Sequence, residues 1–114
     1  MALSEFTRHE VERKLGQLCQ RRSLPPERIR VGFRFRGNSV TLFQERPSIG
    51  GSSPPQSIES LVAQFRLNPD SQLWQIYCVD RNRRWHRYTR VAPTRSFELL
   101  IKEIEEDPTG IFWG

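Results

Sequence analysis

Apolar positions change their spacing twice along this 114-residue chain. At the start, Leu3, Phe6, Val11, Leu15, Leu18 and Cys19 recur near helical spacing, which predicts a helix from about Ser4 to Arg22 with one buried stripe. Ser4 suits the N-cap and Glu5 the first turn, Arg21 and Arg22 suit the last turn, and "SLPPE" stops the helix. The spacing then drops to two. Ile29, Val31, Phe33 and Phe35 alternate with Arg28, Arg30, Arg34 and Arg36, the pattern of a strand with one dry face. Gly37-Asn38 makes a two-residue hairpin loop. Counting outward from it pairs Phe35 with Val40, Phe33 with Leu42, Arg34 with Thr41 and Arg30 with Glu45. The same register sets Phe43 opposite Gly32, where its ring can cover the bare backbone.

Residues 47–57, "PSIGGSSPPQS", have no periodicity and predict a flexible loop. Leu61, Ala63, Phe65 and Leu67 then alternate inward, Asn68-Pro69-Asp70 turns the chain, and "LWQIYCVD" is apolar on both faces, as in an interior strand. Arg81-Asn82-Arg83 turns it again and "RWHRYTR" returns. Helical spacing resumes after Pro93. Thr94 is the expected N-cap, Phe97, Leu100, Ile101 and Ile104 the apolar stripe, Glu98 and Lys102 an exposed i,i+4 pair, and Asp107-Pro108 the stop. An apolar end, Ile111-Phe112-Trp113, follows. If extended, it places Ile111 and Trp113 on one side and Phe112 on the other. The expected fold is α+β, a single domain over residues 1–114. It comprises an N-terminal helix, an antiparallel sheet of about five strands in meander order, a C-terminal helix and an apolar tail docking on the domain.

Composition sharpens this in one respect. The net charge is +5, and it is unevenly distributed. Residues 1–93 hold sixteen basic side chains against eight acidic ones, whereas residues 94–114 hold two against five. A basic body fits nucleic acid or an acidic protein surface as partner. No apolar run is long enough to span a bilayer, and the first residues lack the pattern of a signal peptide, so no membrane is expected and the cytoplasm is the expected location. Cys19 and Cys78 are expected as thiols.

Three segments, "GNSVTLFQERP", "DRNRRWHRY" and "DPTGIFWG", follow one another in the order shared by a family of small bacterial proteins, and nearly the whole chain resembles that family. It is known as a domain of unknown function, number 3024. The resemblance implies one cytoplasmic bacterial domain and brings no activity, cofactor or functional residue with it. Family members often carry Asn-Gly where this chain has Asn82-Arg83, so the resemblance implies strain at an Arg in a left-handed turn position.

The densest candidate chemistry is "RNRRWHRYTR". Residues 81–95 hold Arg81, Arg83, Arg84, Arg87, Arg90 and Arg95 and no acid, interleaved with Trp85, His86 and Tyr88. Guanidinium groups neutralise phosphates and ring faces stack on bases, which is what a single strand requires. Arg81, Arg83, Arg84, Trp85, Arg87 and Arg90, with Arg30, Arg34 and Arg36 of the first hairpin, form the candidate nucleic-acid surface, provided that the two stretches share a sheet face. The competing reading makes Trp85 and Tyr88 packing residues and the arginines solubilising ones. A protein-interaction or adaptor module is the alternative function, resting on the apolar tail, the loop of residues 47–57 and the charge split; Ile111, Phe112 and Trp113 are either a tail clasp on the domain itself or a partner contact. A metal-independent RNase using Arg, His and Tyr is the third. No nucleophile elbow, phosphate loop or metal-ligand spacing occurs, so no catalytic residue, metal ligand or cofactor is assigned.

Overall fold

The computed structural model describes residues 3–23, 29–47 and 57–113. Among them seven elements follow in the order α1 (Glu5–Arg22), β1 (Arg30–Arg36), β2 (Ser39–Pro47), β3 (Ser57–Leu67), β4 (Trp74–Val79), β5 (Trp85–Arg87) and α2 (Phe97–Glu106). The strands form one antiparallel sheet in the order β1-β2-β3-β4-β5, so each pairs with its neighbour in sequence. Val11, Leu15 and Leu18 of α1, and Phe97, Leu100, Ile101 and Ile104 of α2, join one buried cluster with Val31, Val40, Leu42, Phe65, Trp74 and Ile76. Phe97 anchors α2, its ring 5.0 Å from Phe65 and 4.9 Å from Trp74. Both helices therefore cover the same sheet face and the fold is α+β.

The first helix begins as its sequence dictates. Ser4 Oγ accepts from the Thr7 N–H at 3.2 Å, and the Ser23 N–H closes the other end on the Cys19 carbonyl. Phe6 departs from expectation, being 81% exposed. It precedes Val11 by five residues, roughly 140° around the helix, so it lies off the Val11–Leu15–Leu18 stripe. The second helix starts later than Thr94. Thr94 exchanges backbone hydrogen bonds with Trp74 at 2.7 and 3.0 Å, which holds it extended, and Ser96 becomes the N-cap, accepting from Leu99 N–H at 3.3 Å. The expected Glu98–Lys102 pair is replaced as well. Lys14 of α1 reaches Glu98 at 3.1 Å, and Lys102 turns to Glu106.

The β1–β2 register is the one counted from Gly37-Asn38, with Arg30 opposite Glu45, Gly32 opposite Phe43 and Phe35 opposite Val40. The Phe43 ring lies on Gly32, where an added Cβ would stand 2.9 Å from the ring tip. The next ladder departs from strict alternation. A register shift follows Leu42, which pairs with Ala63, while Phe43 pairs with Leu61. Val62 is the extra residue of this bulge, and both Val62 and Ala63 reach the core. Leu61, expected inside, is displaced to the Phe43 side and is half-exposed. Pro47 and Ser57, the ends of the expected flexible loop, are paired strand residues, and residues 48–56 lie outside the described ones.

The chain end folds back. Asp107 adopts a left-handed conformation (φ 42°) and ends α2. Its carboxylate accepts from the Phe112 and Trp113 N–H groups at 3.2 and 2.9 Å. Phe112 is buried, with its ring 4.9 Å from that of Tyr88. Trp113 Nε1 donates to the Ile104 carbonyl at 2.8 Å, and the Arg22 guanidinium lies 4.6 Å over the indole. These residues form turns rather than an extended segment, so Ile111 points outward while Phe112 points inward. The tail thus fastens the end of α2 to the end of α1.

Two substitutions test this packing by chemical denaturation. Gly32→Ala forces the Phe43 ring off the sheet and is expected to cost about 1 kcal/mol. Phe112→Ala empties the site beside Tyr88 and is expected to cost roughly 3 kcal/mol, with the m-value unchanged.

Candidate nucleic-acid interface

The sheet face away from the helices is built by strand alternation and the observed registers. One row crosses all five strands: Arg34, Thr41, Gln64, Tyr77 and Arg87 are successive partners. Four strand spacings make that row about 19 Å long. A second row runs Arg36, Ser39, Arg66 and Gln75, and Trp85 stands beside Arg87's row, opposite Val79. The candidate arginines of the first hairpin and Arg87 of β5 therefore share one face. Five arginines, Arg30, Arg34, Arg36, Arg66 and Arg87, stand there against Glu45 and Glu59.

Charge and rings are interlocked on this face. The Arg66 guanidinium lies 3.8 Å from the Tyr77 ring centroid while its Nε donates to Gln64 Oε1 at 2.7 Å, and Gln64 in turn donates to Thr41 at 3.0 Å. Arg34 lies 4.6 Å over the Phe43 ring and is also paired with Glu59. Arg30 pairs with Glu45 at 3.4 Å. Arg36, Arg66 and Arg87 have no acidic partner among the described residues. A guanidinium stacked on a ring keeps its outer plane available to a further planar group.

Arg81, Arg83 and Arg84 occupy the β4–β5 turn, at the edge of this face, and all three are exposed. Asp80 organises the turn. Its Oδ1 accepts from the Asn82 and Arg84 N–H groups at 2.8 and 3.0 Å, and its Oδ2 lies 2.6 Å from His86 Nε2. The Arg84 backbone bond above all, then the His86 contact, lowers the Asp80 pKa. Arg83 takes φ 61°, the left-handed position that the Asn82-Arg83 pair implies. Arg90 is the exception among the candidate arginines. It lies on the helix side, 2.9 Å from the Glu103 carboxylate.

The Arg, His and Tyr of the RNase reading do not converge. Arg87 is on the open face, His86 shares the other side with Cys78 and is tied to Asp80, and Tyr88 is buried. Burial, and then the hydrogen bond its hydroxyl donates to Glu103, pushes the Tyr88 pKa to about 12. Both cysteines are buried thiols. Burial raises the pKa of each, that of Cys19 to about 11.

Sequence reasoning missed Arg66, Tyr77 and Gln75 on the open face. The parity of "AQFRL" marks Gln64 and Arg66 as outward, but "LWQIYCVD" is apolar on both faces and hides the outward position of Tyr77.

Because a side chain with a Cβ is strained at φ 61°, Arg83→Gly is expected to raise stability by roughly 1 kcal/mol while removing one cation, as read by thermal unfolding.

Among the described residues no helix is long and apolar enough to cross a membrane, and no three His, Cys, Asp or Glu side chains are grouped as a metal site would require. No curated protein and no solved structure matches the chain. The model of a family described as a domain of unknown function (DUF3024) matches residues 3–114, essentially the whole chain, which therefore belongs to that family.

Proposed function

We propose that this chain is a non-catalytic nucleic-acid-binding module that takes a single strand across the open face of its sheet. The observation that carries this reading is the five-strand row from Arg34 to Arg87, with Arg36, Arg66 and Trp85 beside it and neither helix covering it. Arg36, Arg66, Arg87 and the turn arginines Arg81, Arg83 and Arg84 supply phosphate contacts. Trp85 and the Arg66–Tyr77 stack supply flat surfaces for bases. Single strands suit this surface because the bases must be free to lie on it, whereas reading a duplex requires an element that enters a groove. An acidic protein surface fits the same charges but leaves the half-exposed Trp85 without a role.

Fluorescence anisotropy with single-stranded RNA, single-stranded DNA and duplex DNA tests the reading. Binding to the single strands is expected to weaken steeply with salt and to exceed binding to the duplex. The double variant Arg84→Ala, Arg87→Ala is expected to lower the slope of log K against log salt for the single strands by about 1.4, roughly 0.7 for each cation removed. Absence of binding at low salt overturns the proposal.

A further inference from the structure

One hydrogen bond fixes which backbone groups of the edge strand β1 face outward. The Val31 N–H donates to Ser23 Oγ at 3.0 Å, so it points away from β2. An antiparallel strand turns successive residues alternately toward and away from its partner, and residues two and four positions on share the direction of Val31. The N–H and C=O groups of Phe33 and Phe35, with the Val31 C=O, therefore line the outer edge. Among the described residues none of these five groups has a hydrogen-bond partner. The site is bounded by Ser23 at Val31 and by the turn at Gly37. The other edge of the sheet offers less, since β5 has three residues against the seven of β1.

Side chains along this edge alternate in kind. Phe33 and Phe35 are half-buried on the helix side, their rings edge to face at 5.9 Å, with the Arg8 guanidinium 4.6 Å over Phe35. Arg30, Arg34 and Arg36 stand on the open side, and β1 contains no acid. This charge pattern opposes a second copy as the occupant. Antiparallel self-pairing about Gly32 sets Arg30 opposite Arg34, about Phe33 it sets Arg30 opposite Arg36, and about Arg34 it sets that residue opposite itself. Like charges directly opposite are destabilising. A sugar–phosphate backbone has no N–H to give the outward carbonyls.

We infer that the β1 edge takes an extended segment of a partner protein in which acidic and apolar residues alternate. Added antiparallel, like every other pairing in this sheet, the segment sets apolar residues opposite Phe33 and Phe35 in hydrogen-bonded pairs and acidic ones opposite Arg34 and Arg36. Arg30 and Arg34 already hold Glu45 and Glu59, so Arg36 is the cation that gains an acid. Main-chain bonds supply affinity in such strand addition, and alternate side chains supply specificity. The inference stands apart from the nucleic-acid reading, because its ligand bonds are to the edge backbone.

The test is amide hydrogen exchange of the full chain, read by 15N NMR, with a blocked heptapeptide of alternating glutamate and valine. With peptide at about ten times its Kd, the Phe33 and Phe35 amides are expected to exchange roughly tenfold more slowly. The Arg87 amide should keep its rate. It is turned outward at the far edge, because the next N–H, that of Tyr88, bonds to Ile76. The same peptide N-methylated at its valines lacks the ladder donors and should not bind, nor should a lysine–valine peptide. Arg36→Glu is expected to weaken the glutamate–valine peptide roughly tenfold, by turning one cross-strand attraction into repulsion. No binding at low salt, equal binding after N-methylation, or unchanged affinity in Arg36→Glu overturns the inference. Protection of Phe33 and Phe35 that grows with protein concentration in the absence of peptide overturns it in favour of self-pairing.

Discussion

A five-strand sheet with both helices on one face must leave its other face to water, and most of this molecule's surface chemistry answers to that constraint. Large rings on an uncovered face would invite association. Here they are roofed by charged groups of the same face: Arg34 lies over Phe43 and Arg66 over Tyr77. The aliphatic and guanidinium parts of arginine shield the ring while the charge stays in water. Phe43 reaches its depth only because Gly32 beneath it has no side chain. The open face is thus a second, thin packing layer with arginine as its outer skin, and this arrangement also presents planar cations to any anionic partner.

The bulge beside Leu42 and Phe43 lets one sheet serve two unlike faces. Strict alternation would carry Leu61 into the core and Val62 out. The inserted residue brings Val62 and Ala63 both inward and sends Leu61 to lie beside Phe43. From that point toward the Gly37-Asn38 and Asn68 turns the ladders are in register, so Arg34, Thr41, Gln64, Tyr77 and Arg87 align. A shift between Thr41 and Tyr77 would break the row and separate the arginines of the first hairpin from those of the last.

How much of this was legible in the sequence depended on whether local chemistry decided it. The first hairpin was readable to the residue because a two-residue loop, an alternating pattern and the Gly32–Phe43 complement all fix the same register. The left-handed position of Arg83 is what the family resemblance implies, since members often carry Asn-Gly where this chain has Asn82-Arg83. Elements decided by distant contacts were not readable. Thr94 lost the helix cap because Trp74 takes its backbone, Glu98 lost Lys102 because Lys14 is nearer, and the bulge at Val62 has no local signature. Density in sequence does not sort arginines by face: Arg90, within the dense stretch, lies on the helix side beside Glu103, whereas Arg66, solitary in sequence, lies on the open face.

The charge split along the chain has a structural meaning different from a search for a partner. The acidic end is occupied within the domain: Glu98 with Lys14, Glu103 with Arg90 and Tyr88, Glu105 with Arg21, Glu106 with Lys102, and Asp107 with the tail's backbone N–H groups. These contacts join α2 to α1, to the segment after β5 and to the tail. Acids and bases therefore cancel on the helix side. Arginines without a carboxylate partner among the described residues comprise Arg36, Arg66, Arg81, Arg83, Arg84 and Arg87 on the open face and its adjoining turn, and Arg13, Arg22, Arg46 and Arg95 elsewhere. The net positive charge is thus largely a property of one face. Neighbouring like charges repel, so holding six of them on one side of so small a domain opposes folding unless a counter-charge joins them. Arg83 adds backbone strain to that repulsion. On the function proposed above, a polyanion offsets that repulsion by bringing phosphates to the guanidinium groups and releasing small counterions, while the backbone strain at Arg83 stays.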